Sequence, residues 1–196
     1  MSPRGYNLGK REDGIADTRR RILDGATDAY LELGVRGTSM QEVARRADVA
    51  PATVLNHFNS PNELVEAVVV DIIEELAVPE PSVFDEVSDE MDRVRILIEE
   101  MYDFYERSDR WLGMFTRERD VVPAFQEGER TVRRSIGSLV VQALGDRSGD
   151  TELGAIVTAA IHPGFCHALV EVSQSLAAAK TNAQQLVEAW SESHRS

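Results

Sequence analysis

Apolar residues recur at helical spacing along most of the chain. Ile22, Ala26, Ala29, Tyr30 and Leu33 define one face of a first helix, which stops at Gly34. Gly34 and Gly37 bracket a turn, a C-terminal signal because glycine accepts the left-handed backbone that ends a helix. In "TSMQEVARRA" that follows, Ser39 and Glu42 have capping-box spacing, and Val43, Ala44 and Ala47 form the apolar stripe of a helix about two turns long. Pro51 stands at a first helical position and opens a second short helix that reaches about His57. Ser60 and Glu63 repeat the capping-box pattern, again with a proline, Pro61, at the first helical position. The helix they open carries Leu64, Ala67, Val68, Ile72 and Leu76 along one side.

The proline-rich stretch "VPEPS", residues 78–82, breaks this series and divides the chain into a head, 1–77, and a body, 78–196. In the body, Val94, Leu97, Ile98, Met101 and Tyr105 are spaced as one face of a long helix. A short segment around Trp111 to Phe115 follows, and then a helix over about 123–144. "GDRSGDT" reads as a loop. The remainder predicts a long apolar helix over about 152–178, kinked at Pro163 and Gly164, and an amphipathic one over about 182–193. No strand pattern and no internal repeat is present, so the predicted fold is all-α.

Charge alters this picture more than composition does. The net charge of −13 argues against a nucleic-acid partner, but it is unevenly spread. Residues 1–58 sum to +1 and the remainder to −14, and residues 1–21 hold six basic against three acidic side chains. The chain therefore has a basic N-terminal arm, a near-neutral head and an acidic body. Its one cysteine, Cys166, precludes an intramolecular disulfide and fits a reducing compartment. The first residues lack the apolar core of a signal peptide, and no stretch is long and apolar enough to span a bilayer; a cytoplasmic location with no membrane partner is expected.

The chemistry of "VAPATVLNHFNS", residues 49–60, is unusual for a helix set between stronger ones. Two short helices joined by a four-residue turn make a helix-turn-helix, whose second helix enters the DNA major groove. The small residues Ala50, Pro51 and Ala52 allow close approach of the backbone. Thr53, Asn56 and His57 offer donors, acceptors or a methyl group to base edges and phosphates, and Phe58 is the anchor into the core. A surface helical hairpin with no partner accounts for the same pattern.

From Thr18 to about Val70 the sequence resembles the tetracycline-repressor (TetR) family of transcriptional regulators. The resemblance rests on a first helix ending in Leu-Gly, then Gly-Thr-Ser, an "xxVA" helix, "V-x-x-x-T-V-x-x-H-F" and "S-x-x-E-L" opening the next helix. It covers the first third of the chain; the rest is similar only in length and helical character. It implies an N-terminal three-helix DNA-binding domain and a C-terminal helical domain that binds a small-molecule effector and forms a homodimer. Position by position, it implies a DNA-facing set of Ser39, Met40, Ala50, Pro51, Ala52, Thr53, Leu55, Asn56 and His57, and a double-stranded, palindromic operator as partner. The chain departs from the family pattern at four of its positions. Asp48 replaces the usual turn glycine, and Ala50 a capping Ser or Thr. Leu55 stands for a phosphate-contacting tyrosine, and Pro61 for a lysine. Asp tolerates the left-handed turn, and Pro51 removes one amide that would need a cap. Two phosphate contacts are lost. The basic residues Arg4, Lys10 and Arg11, before the first helix, and Arg19, Arg20 and Arg21 on its opening turns are candidates to compensate by tracking the DNA backbone or minor groove; a merely solvated tail is the alternative.

In the body, Tyr102, Phe104, Tyr105, Trp111, Met114, Phe115 and Phe125 concentrate aromatic and thioether groups. On spacing alone such a stripe is ordinary core; the family resemblance implies an apolar effector cavity among these helices. The candidate pocket set is Tyr102, Tyr105, Trp111, Met114, Phe115, Phe125, His162, Phe165 and Cys166. His162 and Cys166 lie four apart, with His167 adjacent. Zinc needs three or four protein ligands, and no others can be named, so no metal and no cofactor is expected. Ala155, Ala159, Ala160, Gly164 and Ala168, with "AQQLVEAW" (183–190), suit close packing, either across a dimer interface as a four-helix bundle or within one monomer. No phosphate-cradling glycine loop, nucleophile elbow or metal-ligand spacing is present, so the chain is not read as an enzyme. The expected function is a homodimeric repressor that an effector releases from its operator by changing the spacing of the two heads. The alternative is a TetR-like ligand-binding or interaction module without sequence-specific DNA binding.

Overall fold

The computed structural model of the chain describes residues 4–120 and 122–194, with side chains from Glu12 onward. Among them the structure is entirely helical. In order come α1 (Arg4–Leu33), α2 (Met40–Arg46), α3 (Pro51–His57), α4 (Pro61–Leu76), α5 (Glu90–Glu118), α6 (Pro123–Leu144), α7 (Thr151–Ala160), α8 (Pro163–Ser173) and α9 (Leu176–Ser193). Short 3-10 turns occupy Pro81–Phe84 and Gly145–Gly149. The helices gather into two compact units. The first comprises Met1–Glu75 and Arg110–Glu129, the second Leu76–Asp109 and Arg130–Ser196. The end of α5 and the start of α6 thus belong with the head, which a single boundary near residue 77 does not convey.

In the first unit α1 buries Ile22, Ala26, Ala29 and Tyr30, and burial raises the Tyr30 phenol above its ordinary pKa. Leu33, the last residue of that stripe, is instead exposed, because the helix ends beneath it. Gly34 takes the left-handed conformation, φ +77, and the Val35 N–H that follows donates to both carboxylate oxygens of Glu118 at 2.9 and 3.1 Å. The left-handed backbone is what requires glycine here; a Cβ would crowd only the Glu118 carboxylate, the end of a flexible side chain, which would have to shift from its bond to Val35. Trp111, Met114 and Phe125 are buried in this unit, and Phe115 meets Phe125 edge to face at 4.7 Å.

Three helix boundaries differ from the sequence expectation. α1 begins at Arg4, so the segment read as an arm preceding the helix forms its first turns; the side chains of Arg4, Lys10 and Arg11 lie outside the described residues. α5 runs unbroken through Trp111–Phe115, because the buried period of Met101 and Tyr105 continues in register to Trp111 and Met114. The long apolar helix expected over 152–178 is two helices at 54°, and the following helix starts at Leu176 rather than near 182. At the first break, Pro163 forces His162 into an extended conformation (φ −70, ψ 134), where its Nδ1 accepts the Gly164 N–H at 3.1 Å and caps α8. At the second, Gln174 is left-handed and Ser175 caps α9.

The second unit packs Val94, Leu97, Ile98 and Met101 of α5 with Leu153 and Val157 of α7 and Ala179, Ala183 and Val187 of α9 in its core. The Tyr102 and Tyr105 hydroxyls donate to the carbonyls of Ala160 and Ile161 at 3.0 and 2.8 Å. Those carbonyls end α7 and have no continuing helical turn to accept from, so the tyrosines satisfy acceptors orphaned by the break. Arg147 joins Glu90, Asp150 and the buried Ser191. Among the described residues no single helix is long and apolar enough to cross a membrane.

Candidate nucleic-acid interface

The geometry of α2 and α3 is fixed from below by the core and from behind by α1. Ser39 Oγ caps α2 by accepting the Glu42 N–H at 3.1 Å. The reciprocal half of the expected capping box is not made. Glu42 instead accepts two hydrogen bonds from Arg45 at 2.6 and 2.9 Å and one from Arg46 Nε at 2.7 Å. These bonds draw the Glu42 carboxyl down to about 2. Arg46 also pairs with Glu32 of α1 at 2.6 Å.

Between the helices, Asp48 occupies the left-handed region at φ 53, and the Val49 N–H returns to the Ala44 carbonyl at 3.0 Å. The position at which glycine is usual in the family pattern is thus held by an aspartate in the conformation that glycine would take. Arg21 reaches across from α1 and donates to the Ala47 carbonyl at 3.0 Å, latching the turn. Gly25 lets α1 come close enough for this: a Cβ there would lie 2.9 Å from the Ala47 nitrogen. The sequence reading gave Arg21 only as one of the basic residues on the opening turns of α1, and it did not single out Gly25. An isolated glycine inside the amphipathic pattern of α1 was the available signal.

In α3 the inward residues are Val54, wholly buried, and the capping residue Phe58, whose N–H bonds the Val54 carbonyl at 2.8 Å. Ala50, at the N-cap, makes no side-chain capping bond, as its identity dictates. Outward lie Ala50, Pro51, Ala52, Leu55 and Asn56, all exposed, with Thr53 and His57 half-buried beside them. Ser39 is exposed and Met40 half-buried at the start of α2. The expected DNA-facing residues thus share the outer side of α2 and α3. Arg19 sits with its guanidinium 4.3 Å from the centre of the Phe58 ring, a cation–π contact that places it beside the end of α3. Arg20 is engaged with Asp24 and Asp71 at 2.9 and 2.7 Å. Behind α3, the Glu63 N–H donates to Ser60 Oγ, so Ser60 caps α4 as expected, while the Glu63 carboxylate accepts from the N–H and side-chain amide of Asn59 at 3.0 and 2.9 Å, one residue before the cap.

Residues 22–68, which run from within α1 to within α4 and include α2, the turn and α3, match the family model of the bacterial regulatory proteins of the tetR family. Through this head, about a quarter of the chain, it is similar to the TetR family. Over 50 residues it is 40% identical to the uncharacterized HTH-type transcriptional regulator YvkB of Bacillus subtilis, covering 26% of each chain. Over 58 residues it is 34% identical to the HTH-type transcriptional regulator BetI of Klebsiella pneumoniae, covering 30% of each. The matched part thus spans between a quarter and a third of these curated relatives. The fold extends further. A putative TetR-family transcriptional regulator from Mesorhizobium loti superposes with a TM-score of 0.64 at 18% identity over 89% of this chain and 95% of that one. The multidrug binding protein EbrR, solved in complex with imidazole, superposes with 0.57 at 18% identity, over 87% of this chain and 93% of that one.

The candidate effector residues of this chain are not one cluster. Trp111, Met114, Phe115 and Phe125 belong to the first unit, and Tyr102, Tyr105, His162, Phe165 and Cys166 to the second. Tyr102, Tyr105 and Cys166 are buried together; burial raises both phenols and pushes the Cys166 thiol up to about 11. His162 and His167 are exposed while Cys166 is buried, because the break at Pro163 removes His162 from the helical face it was expected to share with Cys166. His162 and Phe165 line an open apolar groove of about 740 Å³ with Thr151, Gly154, Thr158 and Ala159. Of the small residues expected at an interface, Ala155, Ala159, Gly164 and Ala168 are exposed and Ala160 is buried.

Proposed function

We propose that the chain is a transcriptional regulator that binds a palindromic DNA operator as a homodimer, one α3 in the major groove of each half-site, and is released by a small-molecule effector. The observation that carries this reading is the outer face of α3. Thr53, Asn56 and His57 have side chains with no hydrogen-bond partner among the described residues, and Ala50, Pro51 and Ala52 leave the backbone accessible beside them. A surface hairpin built only for stability has no need of unpartnered polar groups ranged with small residues on one face. The latch of Arg21 and the close approach at Gly25 hold that face rigid, as a docking element requires.

Dimerisation is assigned to α8 and α9, which pack on each other and leave small and apolar residues outward: Gly164, Ala168 and Val172 on α8, and Leu186 on α9. Val172 is 84% exposed, which is costly unless a partner covers it. The effector acts through unequal affinity for two spacings of the heads, since half-sites about 34–36 Å apart tolerate only one. The acidic balance of residues 59–196 favours a neutral or cationic apolar effector, and the fold relative EbrR is a multidrug binding protein. The decisive experiment is binding of the full chain to a panel of palindromic genomic fragments across a salt series, with its mass in solution measured in parallel. Selective binding of one fragment by a dimer, weakening as salt rises, is the expected result. Loss of selectivity at every salt concentration would instead leave a ligand-binding module without operator recognition.

A further inference from the structure

The reading face of α3 lacks the charged side chains that commonly recognise base edges. From Val49 to Asn62 there is no charged side chain. Of the head's guanidiniums near it, Arg45 and Arg46 are committed to Glu42, Arg20 to Asp24 and Asp71, and Arg21 to Asp17 and the turn carbonyls, while Arg19 lies over the Phe58 ring at the end of α3. What α3 does present is Ala52 and, three residues on, Leu55, which is 50% exposed although its neighbour Val54 is wholly buried. Residues three and four apart share one side of a helix, so Ala52, Leu55 and Asn56 make a single stripe of two apolar groups and one amide.

An apolar stripe has one complement on the floor of the major groove. The C5 methyl of thymine is the apolar group exposed there, and an adjacent adenine presents N7 and N6, which match a side-chain amide. Resting on the reading of α3 as the DNA-binding helix, we infer that this chain recognises its operator through thymine methyl groups. Ala52 and Leu55 pack on C5 methyls, and Asn56 takes a neighbouring adenine through both its donor and its acceptor. Leu55 is then a specificity-determining residue where the family pattern has a phosphate contact. The half-site is A·T-rich at those steps.

The test uses the full-length chain and a pool of duplexes with a randomised core. The enriched duplex is resynthesised with each thymine in turn replaced by deoxyuridine, which removes only the methyl group, and affinities are compared at one salt concentration. At one or two thymines per half-site the substitution is expected to weaken binding about three- to fivefold, the worth of one buried methyl. In Leu55→Ala, whose site is exposed so that its melting point should match the parent, the deoxyuridine penalty should vanish at one of those thymines and persist at any other. An enriched duplex indifferent to every such replacement overturns the inference, as does a Leu55→Ala protein that keeps every penalty. Failure of the pool to enrich at all overturns the DNA-binding reading itself, and is thereby distinguishable from the other two outcomes.

Discussion

Replacing Gly25 by alanine adds one methyl group where α1 passes the end of α2. That carbon would lie 2.9 Å from the Ala47 nitrogen, 3.2 Å from Arg46 Cβ and 3.3 Å from the Arg46 carbonyl carbon. Two of the three are backbone atoms, which cannot turn aside as a side chain would. The helices must therefore part, at a cost of roughly 1–3 kcal/mol for an overpacked contact. Against this, alanine in a helix interior gains roughly 0.8–1 kcal/mol over glycine. Gly14 separates the two effects, since it lies in the same helix and a Cβ there would meet nothing within 4 Å. Gly14→Ala receives the propensity gain alone, so the difference between the two variants isolates the steric cost, roughly 1–3 kcal/mol. Urea unfolding of both, compared at equal slope, measures it. Operator affinity should fall in Gly25→Ala as well, because the Arg21 latch at 3.0 Å depends on the same approach. If Gly25→Ala proves as stable as Gly14→Ala, the claim that this glycine sets the distance between α1 and the turn is wrong.

Other features give sharper but narrower expectations. Glu42→Gln weakens the restraint on Arg45 and Arg46, and the slope of log affinity against log salt should steepen by about 0.9 for each phosphate newly engaged; an unchanged slope would mean the two guanidiniums do not reach DNA. Glu118→Ala leaves the part-buried Val35 N–H without its acceptor and should destabilise the chain by about 1–3 kcal/mol, whereas Glu118→Gln, which keeps an acceptor oxygen, should lose less; equal melting of all three proteins would show that the tie carries no weight. Cys166 should resist an aromatic disulfide reagent at pH 8 in the folded chain and react fully in denaturant. Its thiol is pushed from an ordinary 9.0 up to about 11, mainly by burial, so folding favours the protonated form. Its contribution to stability is complete below pH 9 and is lost as pH rises towards 11, a loss that Cys166→Ala should remove from the alkaline limb of the stability curve.

What the sequence made legible was local. Helix starts could be read where a capping residue or a first-turn proline stands, at Ser39, at Pro51 and, with both together, at Ser60 and Pro61, because these signals act within three or four residues. The burial pattern of α3 was equally legible, since Val54 and Phe58 mark its inner side and leave the others outward. Long-range partners were not. The Glu118–Val35 contact joins residues 83 apart, and nothing in either local pattern points to the other. The break at Pro163 was anticipated as a kink, but that His162 would turn back to cap α8, and so leave the face of Cys166, follows from a dihedral angle that spacing does not specify. The aromatic stripe was visible as such. Its division between two units was not, because α5 and α6 carry unbroken helical periodicity across the boundary.

That division has a genetic consequence. The codons for the first unit are interrupted by those for Leu76–Asp109, so the head is not one cassette. Recombination with a single joint after residue 75 would deliver α1 to α4 to a recipient whose own sequence supplies the residue opposite the Val35 amide. A head exchanged in this way keeps the outer face of α3 but loses the carboxylate that closes its first helix, unless the recipient already encodes one. Productive exchange needs a second insert, covering Arg110–Glu129, and lineages that trade binding specificities should carry the two segments together.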